Sequence, residues 1–275
     1  MDPEPAPATA SDPTPVTVTP VTVTPVKVAI VIVSYNALAY ARRMLRSVRR
    51  TTGVPYEIVV VDNNSLFRTR VFWTLQRFRG RINRLALLDR NTFFAEANNI
   101  GVGMAPRDAT HILLLNTDCE VLDPDWLRRM LAVHREGATG LRYVTSGAWP
   151  RADGFCLLID RHCWEDGLDE SYQWWWSVTG LEARLLRQGR AVQAVREYAE
   201  VVVHHGGKSG KAFKSAKTAE SGSEHIAGWF EGRQVTVVER LPDLGGPAPA
   251  GDLGAAEDHI TAPAEAAAPP EARQG

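Results

Sequence analysis

Three short polar clusters stand where chemistry could be done: Ser34-Tyr35-Asn36, Asp62-Asn63-Asn64-Ser65 and Asn116-Thr117-Asp118. Each follows an apolar run, Val28 to Val33, Ile58 to Val61 and Ile112 to Leu115. Runs apolar on both faces suit buried parallel strands. An aspartate just beyond such a strand offers a hard oxygen ligand to magnesium or manganese, and one carboxylate suffices when phosphates and water fill the other positions. Asp118 fits that role. Asp62 could accept a hydrogen bond from a flat base, with Tyr35 or its neighbours packed against the ring. A second reading stays open, because Asp and Asn after a strand are also ordinary turn residues.

These clusters work together only if the elements bring them together. Ala39 to Arg50 places Met44, Leu45 and Val48 on one helical face, and Gly53 follows as a stop signal. With the runs on either side this makes a strand, helix, strand unit. Leu85 to Leu88 is a further buried-type run, and Asp123-Pro124-Asp125-Trp126 reads as an N-cap with proline at the first helical position, opening a helix to about Arg135. The pattern predicts an open α/β fold, its sheet built on buried parallel strands. Such sheets bind ligands in the crevice outside the carboxyl ends of their strands, so all three clusters should line one crevice.

The chain has 275 residues, 44% of them hydrophobic, and a formal net charge of -1, which argues against a disordered protein and against a nucleic-acid binder. Thirteen of the 17 prolines fall in residues 1–26 and 241–275, which read as disordered tails flanking one domain over 27–240. The three cysteines, Cys119, Cys156 and Cys163, have no CxxC spacing, so neither a disulfide framework nor a zinc site is expected. The chain opens with no signal-like segment and contains no apolar run of spanning length, so a soluble, cytoplasmic protein without membrane contact is expected.

Four segments, VAIVIVSYNALAYARRMLRSV, EIVVVDNNS, NTFFAEANNIGVGMA and HILLLNTDCEVLDPDWLRRML, resemble in order and spacing the nucleotide-binding half of glycosyltransferase family 2. The resemblance extends over about residues 27 to 210. It implies the GT-A fold, an α/β fold whose doubly wound, mostly parallel sheet has helices on both faces, with a donor-nucleotide half over 27–135 and an acceptor half over 136–240. It also implies a nucleotide diphosphate sugar as donor and a small molecule or glycan as acceptor. Carried over by residue, it makes Tyr35 and Asp62 contacts to the donor base, with Ser34 and Asn36 beside them, and puts Asn98 in the donor pocket. Asn116 and Asp118 match the ends of the family's DxD element, with asparagine first as in rhamnosyltransferase-like members. Asn116 is then expected near the ribose or phosphates, and Asp118 on the metal. YAEVVVHHGGKSG resembles the stretch where the family places a histidine near metal and diphosphate, which points to His204 rather than His205. The residues from Gly206 to Lys211 follow as a basic loop able to close over phosphate, or simply as a solvated surface loop.

One part of the pattern is missing. Inverting transfer needs a base to take the acceptor proton, and the family supplies a carboxylate late in the chain. Aligned back from Arg184 and Gly189, that acidic element reads Ser177-Val178-Thr179-Gly180. Glu182 and Asp169 are the nearest candidates for the base, although Asp169 could equally turn the chain and Glu182 could favour a helix dipole. Trp174-Trp175-Trp176 could wall a sugar site, pack in the interior or dip into a membrane interface, the first two being the commoner uses of clustered tryptophans. Three functions remain: an active, metal-dependent glycosyltransferase, a nucleotide-sugar-binding scaffold without turnover, or a nucleotidyltransferase.

Overall fold

A computed structural model describes residues 25–145, 149–172, 175–206 and 227–245. Most of both expected tails, the loop from Gly207 to Lys211 and Trp174 lie outside the described residues. The strands are β1 (Val28–Ser34), β2 (Tyr56–Asp62), β3 (Arg84–Leu87), β4 (His111–Leu115), β5 (Cys119–Val121), β6 (Gly137–Leu141), β7 (Tyr143–Val144), β8 (Arg151–Ala152), β9 (Cys156–Asp160), β10 (Ala191–Glu197), β11 (Val202–His204) and β12 (Thr236–Arg240). The helices are α1 (Leu38–Val48), α2 (Phe67–Phe78), α3 (Ala95–Gly103), α4 (Trp126–Val133) and α5 (Trp175–Arg187).

Eight strands form one sheet in the order β12-β10-β6-β9-β4-β1-β2-β3. All its pairings are parallel except those of β9, which runs against both β4 and β6. Two ribbons, β5 with β11 and β7 with β8, stand apart from it. The period of two along β1 sorts its side chains between two cores. Val28, Ile30 and Ile32 meet Met44 and Leu45 of α1, Trp73 of α2, and Trp126 and Met130 of α4. Ala29 and Val31 meet Ala95 and Val102 of α3 and Val178, Leu181 and Leu185 of α5 on the other face. The expected mostly parallel sheet with helices on both faces is what the chain forms.

Helix α4 runs from Trp126 to Val133, and just ahead of it the Asp123 carboxylate accepts the Asp125 N–H at 2.8 Å, as an N-cap does, and the Arg129 guanidinium at 2.8 Å. Leu241 to Gly245, expected as the start of a tail, are among the described residues. Leu241 is buried, and the carbonyls of Leu241 and Pro242 accept hydrogen bonds from Arg129 at 3.0 and 2.8 Å.

Two close fits hold the donor side of the sheet. At the end of β1 the buried Ser34 hydroxyl accepts a hydrogen bond of 2.8 Å from the Trp73 indole, locking α2 to the strand. Gly101 lets α3 lie against β1 and β2: an added Cβ would stand 2.4 Å from Val31 Cγ1 and 3.2 Å from Val61 Cγ2. Gly101→Ala should therefore cost about 1–3 kcal/mol by overpacking, read as a fall in denaturation midpoint. Ser34→Ala should cost about 1–3 kcal/mol because a buried indole N–H loses its acceptor; an unchanged urea midpoint would mean that the bond contributes nothing.

Candidate active site

The registers of β1 on β2 and on β4 fix the site. Ser34 pairs with Asp62 at the carboxyl ends of β1 and β2, and Val31 pairs with Leu114 one residue before β4 ends. The three polar clusters therefore leave the sheet side by side at one edge, as expected. Backbone strain collects there too. Of the described non-glycine residues with positive φ, Asn36, Ala37, Asn64, Phe93 and Arg142 all follow the carboxyl ends of sheet strands. Such conformations each cost on the order of 1–3 kcal/mol and tend to persist where function requires them.

Asp62 is fully buried, and its Oδ1 accepts the Ser65 N–H at 3.0 Å, with the Arg70 guanidinium 3.8 Å away. Burial pushes its carboxyl above the ordinary range, against the opposing pull of Ser65 and Arg70. Oδ2 has no hydrogen-bond partner, so it retains the capacity to accept one from a base. The other members of these clusters serve the loops. Asn36 accepts the Leu66 N–H at 2.8 Å and donates its own N–H to Ser65 Oγ at 2.7 Å. Asn63 receives Thr92 N–H at 2.8 Å and donates to the Phe93 carbonyl at 2.7 Å. Ser34, expected beside the base, has its hydroxyl turned inward to Trp73. Asn98, expected in the donor pocket, is buried in α3 and donates to its own Phe94 carbonyl at 2.8 Å. Tyr35 is half-buried at the crevice edge.

Asp118 follows β4 and is fully buried. The β5–β11 ribbon pairs Cys119 with His204, and the His205 N–H donates to the Asp118 carbonyl at 2.9 Å. This brings His204 Nε2 to 3.4 Å from Asp118 Oδ1, while its ring stacks on Phe155 with centroids 4.3 Å apart. Neither ring nitrogen of His204 has a hydrogen-bond partner. A buried imidazole nitrogen beside a buried carboxylate oxygen is a donor set that suits a divalent cation with open positions. His205 instead faces Glu120 at 3.5 Å and the Tyr40 ring. Asn116, half-buried, donates its N–H to the Phe155 carbonyl at 2.8 Å, which ties β4 to the start of β9.

The position expected for the base holds Val178, which is buried and packed onto Gly154. Glu182 lies one turn later in the body of α5, not at a helix start, and is fully buried. Neither of its carboxylate oxygens completes a hydrogen bond of good geometry. Burial drives its carboxyl well above the ordinary 4.5, opposed by the Arg151 charge and the Ala152 N–H. Asp169 is a turn residue whose Oδ1 accepts the Ser171 N–H at 2.9 Å. Sequence reading missed Arg142, Arg151 and Asp153. The β7–β8 ribbon gathers them beyond β6, where Arg142 pairs with Asp153 at 3.2 Å. The Asp153-Gly154 dipeptide is a turn signal that could have marked the place, but the pairing depends on the ribbon. Trp176 belongs to a small cluster with Trp149, Ala183 and Phe230, and the Arg151 guanidinium lies 5.8 Å from its ring centre.

Among the described residues one further trio could ligate a metal: His111, His134 and Asp160. It sits at the opposite end of β4 from Asp118, and its members already bond to one another and to neighbours. His134 lies 3.0 Å from Asp160, His111 and His134 each lie 2.8 Å from a threonine hydroxyl, and Asp160 accepts the Gly137 N–H at 2.7 Å.

Known proteins share the fold that carries this geometry. No curated protein sequence matches the chain. A mannosyltransferase, PcManGT from Pyrobaculum calidifontis, solved in complex with GDP-Man and Mn2+, has a similar fold at a TM-score of 0.53 and 16% identity, covering 65% of this chain and 59% of its own. TarS from S. aureus, solved in complex with UDP, gives a TM-score of 0.46 at 14% identity, covering 57% of this chain and 54% of its own. The chain thus spans under two thirds of either structure. The family model for glycosyl transferase family 2 matches residues 29–194, from the first strand through α5 and into β10. With its strand ends, its Asn116-to-Asp118 element and a GT-A sheet on both sides of that match, the chain belongs to glycosyl transferase family 2.

Proposed function

We propose that this family member is an inverting, metal-dependent glycosyltransferase that takes a sugar from a nucleoside diphosphate donor. The observation that carries this reading is the buried Asp118 with the partly buried His204 3.4 Å away, both ring nitrogens of His204 being shielded from water and lacking a hydrogen-bond partner. Asp118 and His204 would hold magnesium or manganese, which would neutralise the diphosphate and stabilise the leaving nucleotide. Asp62 Oδ2 would accept from the donor base, Tyr35 would pack against it, and Asn116 would face the ribose or phosphates. The solved mannosyltransferase complex with GDP-Man and Mn2+ is consistent with such a donor and metal.

In the transfer step the acceptor oxygen bonds to the anomeric carbon as the bond from that carbon to the diphosphate oxygen breaks, and the acceptor proton passes to a base. Glu182 is the better supported candidate. Its carboxyl, raised by burial, lies within electrostatic reach of Arg151 and Asp153, whereas Asp169 is held in an exposed turn by its bond to Ser171. The acceptor would lie in the half spanning 136–240, beside the Arg142, Arg151 and Asp153 cluster, and would be a small molecule or a glycan. The burial of Val178 in place of an acidic residue favours a second reading, a donor-binding scaffold without turnover.

Asp118→Ala should abolish manganese-dependent nucleotide binding in calorimetry; binding that survives with its metal dependence intact would sink the metal assignment. Glu182→Gln separates the two readings. A carboxyl whose folded value is raised favours the fold below its unfolded value, and that contribution is lost as pH rises through the folded value. The variant should therefore melt at least about 2 °C above wild type at pH 8, with the gap closing toward pH 4. Its transfer and donor hydrolysis should fall by roughly 10²-fold or more. Undetectable turnover by the wild-type chain across UDP-, GDP- and dTDP-sugars, with nucleotide binding retained, would identify the scaffold. Release of free pyrophosphate would indicate nucleotidyl transfer.

A further inference from the structure

Helix α2 buries Thr69, Trp73 and Gln76 against the sheet and leaves an apolar stripe in water. Phe67, Val71, Leu75 and Phe78 recur at spacings of four, four and three, which is a single helical face. Phe67 is 78% exposed and Phe78 is 88% exposed. Leu66, 74% exposed, extends the stripe past the amino end of the helix. Scattered exposed hydrophobic residues are ordinary, but a continuous stripe of large ones along about 18 Å of helix calls for a partner.

The charge around the stripe has one sign. Residues 38–56 and 63–88, which contain α1 and α2, hold eleven arginines, no lysine and no acidic residue, in a chain whose total charge is -1. Some of these arginines are committed: Arg43 lies 3.7 Å from Glu120, Arg70 3.8 Å from Asp62, and Arg84 3.8 Å from Glu57. Arg42, Arg46 and Arg49 of α1 and Arg68, Arg79 and Arg81 near α2 have no acidic partner among the described residues. These six line a groove of about 510 Å³ between the two helices, with Val71 and Leu75 on its wall. Guanidinium groups match phosphate bidentately, which makes an all-arginine surface better suited to phosphate than a mixed or lysine surface.

We propose that the α1–α2 face is a docking surface for an anionic lipid bilayer, with Phe67 and Phe78 inserted at the level of the headgroups and the six arginines on lipid phosphates. The two halves of the surface match the two halves of a membrane interface. Interfacial helices combine a bulky apolar face with flanking cations, and their binding grows with both. Each cation near an anionic membrane surface multiplies partition roughly fivefold. A nucleic acid would use the arginines but leave the aliphatic stripe of Leu66, Val71 and Leu75 without a matching surface. Sequence reading weighed membrane contact only through the tryptophan run, of which Trp175 and Trp176 lie elsewhere, in α5.

The test is flotation of the full chain with vesicles of phosphatidylcholine alone and with vesicles carrying 30% phosphatidylglycerol, a composition chosen to be about one-third anionic so that surface charge dominates. The chain should float with the anionic vesicles, not with the neutral ones, and 0.5 M salt, roughly three times the physiological ionic strength, should release most of it. The double variant Phe67→Ser, Phe78→Ser should lower partition at least about tenfold, since two aromatic side chains no longer leave water. Because both side chains are exposed, its melting temperature and nucleotide binding should match wild type. The proposal is overturned by no flotation with anionic vesicles or by flotation that the double variant leaves intact, the mark of charge alone. It is equally overturned by a wild-type dimer that the double variant dissolves while vesicle binding is absent, which would make the stripe a contact between copies.

Discussion

Parallel registry of β4, β1 and β2 is the constraint on which this molecule depends. Three adjacent strands that run the same way must end at the same edge, and each must then turn out of the sheet to cross a face. The turns bring Asp62 and Asp118 to one side of the sheet and force Asn36, Ala37 and Asn64 into left-handed backbone conformations. Polar residues gather there because strand ends leave backbone groups that the ladder no longer satisfies.

The two ends of the sheet consequently differ in how completely their polar groups are satisfied. At the amino end of β4, His111, His134, Asp160 and two threonine hydroxyls form a closed set of hydrogen bonds. At the carboxyl side, Asp62 Oδ2, the Thr117 hydroxyl, both nitrogens of His204 and both oxygens of Glu182 lack a bonded partner. Burying polar groups without partners is costly, about 1–3 kcal/mol each. Such a cost concentrated at one edge sets the carboxyl ends of the strands apart from the rest of the sheet. The fold tolerates it because the two apolar cores lie below that edge and are packed by large side chains such as Trp73, Trp126 and Phe155.

Much of this was legible in the chain. Strands β1, β2 and β4 are apolar on both faces and surrounded by turn residues, so their extent and their role followed from pattern alone. The β6 strand was not legible. Its GATGL sequence reads as loop, and its small residues are explained only by what crosses it: a Cβ on Gly140 would meet Ala152 at 2.7 Å, and one on Gly137 would meet the Ala191 carbonyl at 2.0 Å. Ser34 was read as a ligand contact because it neighbours Tyr35; only the packed position of Trp73, 39 residues away, reveals its partner. Glu182 was read as a residue near a helix start, whereas the helix begins nearly two turns earlier and carries it into the interior. The arginine face escaped notice because its charge is cancelled in the sum over the chain and only the fold sets α1 beside α2.

Strand β9 is the sole antiparallel member of the large sheet, and its reversed direction has a consequence for how the protein could diversify. Because β9 starts at the edge where β4 and β6 end, the chain between β6 and β9 leaves and rejoins the large sheet at one edge, and its described part includes the β7–β8 ribbon. That excursion adds no strand to the large sheet, so it can be lengthened or rewritten while β1, β2 and β4 keep their register. The strand ends that carry Asp62 and Asp118 and the β6-to-β9 connection are thereby separately variable stretches of one chain.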